Sequence, residues 1–282
     1  MAKPSPTLRS QWLGQQLRLL REEAGLTLKE VGQYVQRDPS SVSRMEAGVH
    51  PARLPDVLAY LDIAGVEDPT RREELKQMGR DIWQKGWWTG YAEDVAASLI
   101  DRVWLENRAR AIRSYHLVIP GLLQTHDYAE AVIRAEDPDA SDALVARFLE
   151  VRMRRQQILD REDPLGLHVV LDEMALRRPS SSQEILRDQL GHLIEVVGQA
   201  NVEIRVLPVD AESHPGLRGP FELFEMPEPY TEVGYVEGQA GEIFVEGAKA
   251  DRLRRKYDGL CAFALDRDAS AALITKAAED LE

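Results

Sequence analysis

The residues best suited to acid–base or metal chemistry are His168, Asp172 and Glu173, which fall within or just after one strand-like run, and His214, Glu237, Glu242 and Glu246, which folding could bring to them. None stands at the spacing of HExxH, and the chain has no GxSxG and no Walker loop. With 48 Asp and Glu among 282 residues such groupings arise freely, so solvated surface and salt bridges are expected here: no catalytic residue, no metal site and no cofactor. The densest basic run, RMRRQQ, puts Arg152, Arg155 and Gln156 on one helical face and Arg154 elsewhere. Internal salt bridges are the expected role in so acidic a region, with an acidic partner or a small anion as the alternative. Trp83, Trp87, Trp88 and Trp104, with Tyr91, form an aromatic-rich stretch that reads as core or a subunit seam, and as a candidate partner or ligand region. Cys261, the one cysteine, excludes an internal disulfide and reads as core filling beside Phe263 and Leu265.

A different constellation lies near the start of the chain. Leu13, Leu17, Leu20 and Ala24 recur as one apolar face of a helix over about residues 11–24, ended by Gly25. Thr27 then caps a second helix, with Glu30 at the capping-box position and Leu28, Val31 and Val35 facing inward. Asp38-Pro39 reads as N-cap and first residue of a third helix that stops at Gly48. On it Val42 and Met45 share one face, while Ser40, Ser43, Arg44 and Ala47 fall on the other. A fourth helix supplies Leu54, Val57, Leu58 and Leu61 to close the core.

Length predicts two domains, and the composition is that of a globular protein. No apolar leader and no span of ~20 apolar residues is present, so a cytoplasmic, non-membrane protein is expected. The net charge of −13 is unevenly placed: residues 1–65 hold eight Lys and Arg against seven Asp and Glu, leaving 27 against 41 for the remainder. The organisation that follows is residues 1–66 as a small helical domain, 67–114 as a helical linker with the Trp group, and 115–282 as a larger domain. In the last, YHLVIP, LGLHVVLDE, VEIRVLPVD, GPFELFEM and TEVGYVEG read as strands. Helices are expected over LLQTHDYAEAVIRA, ALVARFLEVRMRRQQIL and residues 182–199, 247–265 and 269–280, an order that predicts an α+β fold.

The string LRLLREEAGLTLKEVGQYVQRDPSSVSRMEAG resembles the Cro/repressor (XRE) class of helix-turn-helix, across the whole four-helix unit. The resemblance implies a lambda-repressor-like all-α domain that lays its third helix in the major groove of double-stranded DNA. Ser40, Ser43 and Arg44 would then meet base edges, Arg44 being suited to guanine, and Thr27, Lys29, Ser41 and Arg53 would meet phosphates. It also implies a structural pair, Arg21 and Glu46, holding the third helix against the first. Four positions depart from the pattern: Leu28 stands for the usual Gln, Pro39 for a residue that often reads a base, and Gln36 and Arg37 for the Gly and apolar residue of the turn.

A second resemblance covers almost all of residues 70–282. IPGLLQTHDYAEAVI, RMRRQQIL, LDEMALRRP, RVLPVDAESHPGLRGPFELFE and ALDRDASAALI resemble the uncharacterised C-terminal domain of WhiJ-like regulators, which joins a helix-turn-helix of this type. That implies an antitoxin-like transcriptional regulator with a small acidic partner protein. The expected fold is an all-α helix-turn-helix domain plus a larger α+β domain with helices around a mostly antiparallel sheet. The expected function is a homodimeric, operator-binding regulator whose C-terminal domain binds a partner or ligand. The alternatives are an adaptor that neutralises a small partner, and an enzyme carrying a DNA-tethering module.

Overall fold

The computed structural model describes residues 6–91, 95–179, 181–239 and 241–281. The chain divides into two units, Met1–Arg102 and Val103–Glu282.

The first unit is helical: α1 (Leu8–Glu23), α2 (Leu28–Tyr34), α3 (Pro39–Glu46), α4 (Leu54–Ile63) and α5 (Pro69–Asp81). Helix α1 starts three residues earlier than its apolar face predicts, because the Thr7 hydroxyl caps it by accepting the Ser10 amide at 3.3 Å. Leu13, Leu17, Val31, Val42, Val57 and Leu61 form the centre of the core, each with no exposed surface. Two expectations fail here. Ala24 is exposed at the C-cap of α1, and Leu58 is exposed while Tyr60 is fully buried in its stead. Tyr60 takes the interior position because its hydroxyl finds a buried acceptor on α3.

The stretch 67–114 is not helical throughout. After α5 come a short 3-10 turn, Trp87–Tyr91, then α6 (Ala97–Arg108), and from Ala111 the chain is already in a strand, β1 (Ala111–His116). The strand expected at residues 115–120 is therefore displaced: β1 ends at His116, and Leu117 and Val118 are exposed beyond it. The displacement follows from pairing, since all of Ala111–His116 is bonded to one neighbour and most of it to a second.

The second unit continues with α7 (His126–Glu136), α8 (Asp142–Gln156), β2 (Gly166–Asp172), α9 (Gln183–Val197), β3 (Val202–Leu207), β4 (Phe221–Glu225), β5 (Val233–Gly238), β6 (Gly241–Val245), α10 (Ala248–Phe263) and α11 (Arg267–Glu279). The sheet order is β3-β2-β1-β4-β5-β6. Strands β1, β2 and β3 are parallel, joined through α7–α8 and α9, and the other three pairings are antiparallel, so the sheet is mixed and mostly antiparallel. Strand β6 was not expected from the sequence. Helix α10 covers one face, where Ala250, Tyr257 and Leu260 pack on Tyr115, Val170, Leu207, Phe221 and Leu223. The alternate residues Ile112, Val169, Ile204 and Phe224 point the other way and are also buried. Among the described residues no helix is long and apolar enough to cross a membrane.

One ion pair is sealed inside this unit. Arg155 of α8 meets Glu106 of α6 through both of its carboxylate oxygens, Nε at 2.8 Å, with side-chain exposures of 5% and 1%. Glu106→Ala would leave the guanidinium buried without its carboxylate, and a loss of ~3 to 5 kcal/mol is expected in urea unfolding of the full chain; a change under ~1 kcal/mol would mean that water reaches Arg155.

Candidate nucleic-acid interface

The placement of α3 is set by sterics and by one charged contact. Gly14 of α1 lies against the end of α3: a Cβ there would stand 2.6 Å from the Glu46 carbonyl oxygen and 2.7 Å from that of Met45. Only a glycine admits that approach. Seven residues on, Arg21 grips Glu46 with Nε on Oε1 at 2.7 Å and Nη2 on Oε2 at 3.0 Å, and its Nη1 donates to the Leu26 carbonyl at 3.2 Å. The buried Tyr60 hydroxyl of α4 donates to the same Glu46 Oε1 at 3.0 Å, so three helices meet on one carboxylate. Burial, with the adjacent Glu46 charge, pushes the Tyr60 phenol far above its ordinary value. Tyr60 is a residue that the sequence reading missed; its partner lies 14 positions upstream on another helix.

The turn between α2 and α3 has its own geometry. Gln36 takes the left-handed backbone, φ 54°, that a glycine would occupy more cheaply, at a cost of ~1 to 2 kcal/mol. Arg37 sends its guanidinium to Asp56 of α4 at 2.8 Å, and its amide closes on the Gly32 carbonyl at 2.8 Å. Asp56 also accepts the Arg53 amide at 2.9 Å, fixing the start of α4.

With Val42 and Met45 buried, α3 turns Ser40, Ser43, Arg44 and Ala47 outward, all exposed. Its N-terminal end carries a compact network. Asp38 accepts the Ser41 amide at 2.9 Å, the Ser41 hydroxyl at 2.7 Å and the Ser40 hydroxyl. Those bonds, the Ser40 hydroxyl's first, hold the Asp38 carboxyl far below the usual carboxylate range. Arg44 Nη2 donates back to Ser41 Oγ at 3.1 Å, which steadies the guanidinium over the first turn.

Of the residues expected at phosphates, Thr27, Lys29 and Arg53 are exposed and Ser41 is half-buried. Thr27 and Glu30 form a full capping box, the threonine hydroxyl donating to the Glu30 carboxylate at 2.7 Å and accepting the Glu30 amide at 3.2 Å. The hydroxyls of Thr27 and Ser41 are thus engaged within the helix caps, whereas Lys29 and Arg53 extend ammonium and guanidinium groups into solvent.

The tryptophans have separate settings. Trp83 is 51% exposed and its indole N–H donates to the Ala52 carbonyl at 3.0 Å. Trp87 stands edge-on to Trp88 at 6.1 Å and to Tyr91 at 5.8 Å. Trp104 belongs to the second unit, fully buried and edge-on to Tyr230 at 5.3 Å.

In the second unit the helical face of RMRRQQ turns inward. Arg155 takes Glu106, Arg152 donates to Gln124 at 2.9 Å, and Gln156 donates to the carbonyls of Gly121 and Gln124 at 2.9 and 2.7 Å. His168 faces Glu203 at 3.3 Å. Asp172 accepts the Tyr115 hydroxyl at 3.4 Å, and the His214 ring stands 6.2 Å from the Tyr115 ring. Glu173 is buried, which opposes its charge, but the Val209 amide at 2.9 Å and Arg177 outweigh burial and lower its pKa. Glu237 and Glu242 oppose each other at the tip of the β5–β6 hairpin, and burial alone raises Glu246 to about 7. Cys261 packs half-buried beside Tyr257, and burial pushes its thiol up. Among the described residues no three His, Cys, Asp or Glu are grouped to hold a metal ion.

Comparison with known families matches residues 12–75 to a helix-turn-helix domain, which spans α1 to α5 of the first unit. Residues 99–276, the whole sheet and its helices, match a domain of unknown function, DUF5753. No curated protein and no solved structure matches the chain. A helix-turn-helix is the architecture of a DNA-binding regulator, and it stands here ahead of an uncharacterised mixed α/β unit. Because the second match covers more than half of the chain, the protein belongs to the DUF5753 family, with a helix-turn-helix domain at its N-terminus.

Proposed function

We propose that the chain is a sequence-specific transcriptional regulator of the Cro/repressor type that binds its operator as a homodimer, and whose C-terminal unit binds a partner protein or ligand without catalysing a reaction. The observation that carries the reading is the outward face of α3: Ser40, Ser43 and Arg44 exposed on a helix whose opposite side is locked to α1 and α4. Short polar side chains flanking one arginine suit a helix entering the major groove, and guanidinium matches guanine O6 and N7. The exposure of Lys29 and Arg53 supports a role for them at phosphate.

A single reading head spans only a few base pairs, and two copies on a palindrome multiply its specificity. The reading as a WhiJ-like, antitoxin-like regulator, active in the cytoplasm with a small acidic partner, rests on the five sequence strings of the second unit and on the pairing of that domain with a helix-turn-helix. The non-enzymatic reading is supported by the engagement of His168, Asp172 and Glu173 in structural hydrogen bonds. Turnover of any substrate in a hydrolase screen of the purified chain would overturn it.

Arg44→Ala is expected to weaken operator binding by ~1 to 3 kcal/mol and to relax preference at one base pair, with thermal stability unchanged. Glu46→Ala should do the reverse in order of cause: it leaves the buried Tyr60 hydroxyl without its acceptor and Arg21 with only Glu22 and the Leu26 carbonyl, lowers stability by ~3 kcal/mol, and weakens binding because α3 is no longer held. Footprinting and thermal melts of the two variants separate the roles, and unchanged affinity in a folded Arg44→Ala protein would remove that residue from the reading face. In sedimentation the full-length chain is expected as a dimer on a two-fold symmetric site. A monomer on an unsymmetrical site would overturn the dimeric reading.

A further inference from the structure

We infer that the start of α3 reads an exocyclic amino group, cytosine N4 or adenine N6, through Asp38 and Ser40, an inference that rests on the DNA-binding reading above. In a docked helix-turn-helix the first residues of the recognition helix meet base edges, so the hydrogen-bonding character of residues 38–41 decides which edges fit. Their side-chain donors are already spent. Ser40 Oγ gives its one hydrogen to Asp38 Oδ1, and Ser41 Oγ gives its own to Asp38 Oδ2 while accepting Arg44 Nη2. Pro39 has no N–H and the Ser41 amide is bound to Asp38, which leaves the Ser40 amide as the backbone donor among residues 39–41. What the side chains of this exposed turn turn outward are acceptors: the remaining lone pairs of the Asp38 carboxylate and of the Ser40 hydroxyl.

A carboxylate at this place is repelled by phosphate and by acceptor edges. In the major groove guanine offers only O6 and N7, and thymine an O4 and a methyl group, whereas cytosine and adenine each offer an amino group. One turn further along the same face Arg44 brings donors, suited to guanine. The side chains of the helix therefore present acceptors first and donors second, a polarity that a binding site must mirror. The bonds from Ser40 and Ser41 keep Asp38 ionised, so the acceptor character does not depend on the working pH.

The test is selection of duplexes from a random-sequence pool by the full-length chain and by Asp38→Asn and Asp38→Ser. Asn and Ser both cap helices, so α3 keeps its start, and thermal melts check that each variant folds. Asn accepts the Ser41 amide with its oxygen and turns an NH2 donor outward. The wild type is expected to enrich sites with cytosine or adenine at one fixed position per half-site, and the base enriched tells the two apart. Asp38→Asn should abolish a preference for cytosine and admit guanine and thymine, with adenine still accepted through its N7, relative affinities changing on the order of tenfold or more, and it should leave the Arg44 position alone. Asp38→Ser should lose the discrimination without reversing it, and it decides the matter if the Asn variant does not fold. Enrichment of the same base by wild type and variants overturns the inference while the DNA-binding reading stands. Failure of the wild type to enrich any sequence overturns both.

Discussion

The buried carboxylate of Glu46 is the contact on which the rest of the first unit depends. Taking Arg21 and Glu46 out of water costs several kcal/mol for each charge, and only good geometry with every lone pair used offsets it. The two-pronged arginine supplies the geometry, and with the Tyr60 hydroxyl it gives the carboxylate three bonds, two on Oε1 and one on Oε2. The planar guanidinium fork fixes orientation as well as distance. Near it the Gly14 approach brings the backbones of α1 and α3 together, leaving the end of α3 no room to move inward. The outward direction of Ser40, Ser43 and Arg44 is a consequence of these two constraints, not of anything in the polar residues themselves.

That dependence explains what could be read beforehand. The caps of α2 and α3 are local: Thr27 with Glu30 and Asp38 with Ser41 act across three residues, and their spacing in sequence is their spacing in space. The burial of Leu13, Leu17, Val42 and Met45 follows from a 3.6-residue period in the same way. Leu58 and Tyr60 depend instead on a contact that no local spacing marks. Apolarity favours Leu58 for the interior, and only the carboxylate on another helix reverses the choice. The departures at Gln36 and Arg37 were visible as departures, but not that Gln36 would keep the left-handed backbone or that Arg37 would reach Asp56.

In the second unit the signal is weaker for a physical reason. Strand β1 carries Arg113, Ser114 and His116 and finds its parallel partner β2 some fifty residues later, so neither its composition nor its neighbours mark it. Strand β6 is a short edge strand with a glutamate and an exposed isoleucine, and nothing but pairing with β5 makes it a strand. The inward face of α8 was legible because Arg152, Arg155 and Gln156 obey helical spacing; Glu106 and Gln124, their partners, lie on other elements and carry no mark of it. The tryptophans misled by proximity: closeness in sequence grouped Trp104 with Trp83, although one belongs to the second unit and the other to the first.

The charge distribution then bears on how such a regulator would bind. With −13 overall and near balance over residues 1–65, little is gained from counterion release, the term that supplies most non-specific affinity for DNA. At physiological ionic strength charges are screened beyond ~8 Å, so the groups close to α3, and not the net charge of the chain, set the field at its outward face. Near the outward face of α3 the carboxylates of Glu30 and Asp38 take part in helix caps, and Lys29, Arg44 and Arg53 stand free of them or only lightly tied. A genome offers non-specific sites in vast excess, so the ratio of specific to non-specific affinity matters more than either alone. A near-neutral helix-turn-helix domain that offers few cations to phosphate would lower the denominator of that ratio and place the burden of affinity on a few specific contacts.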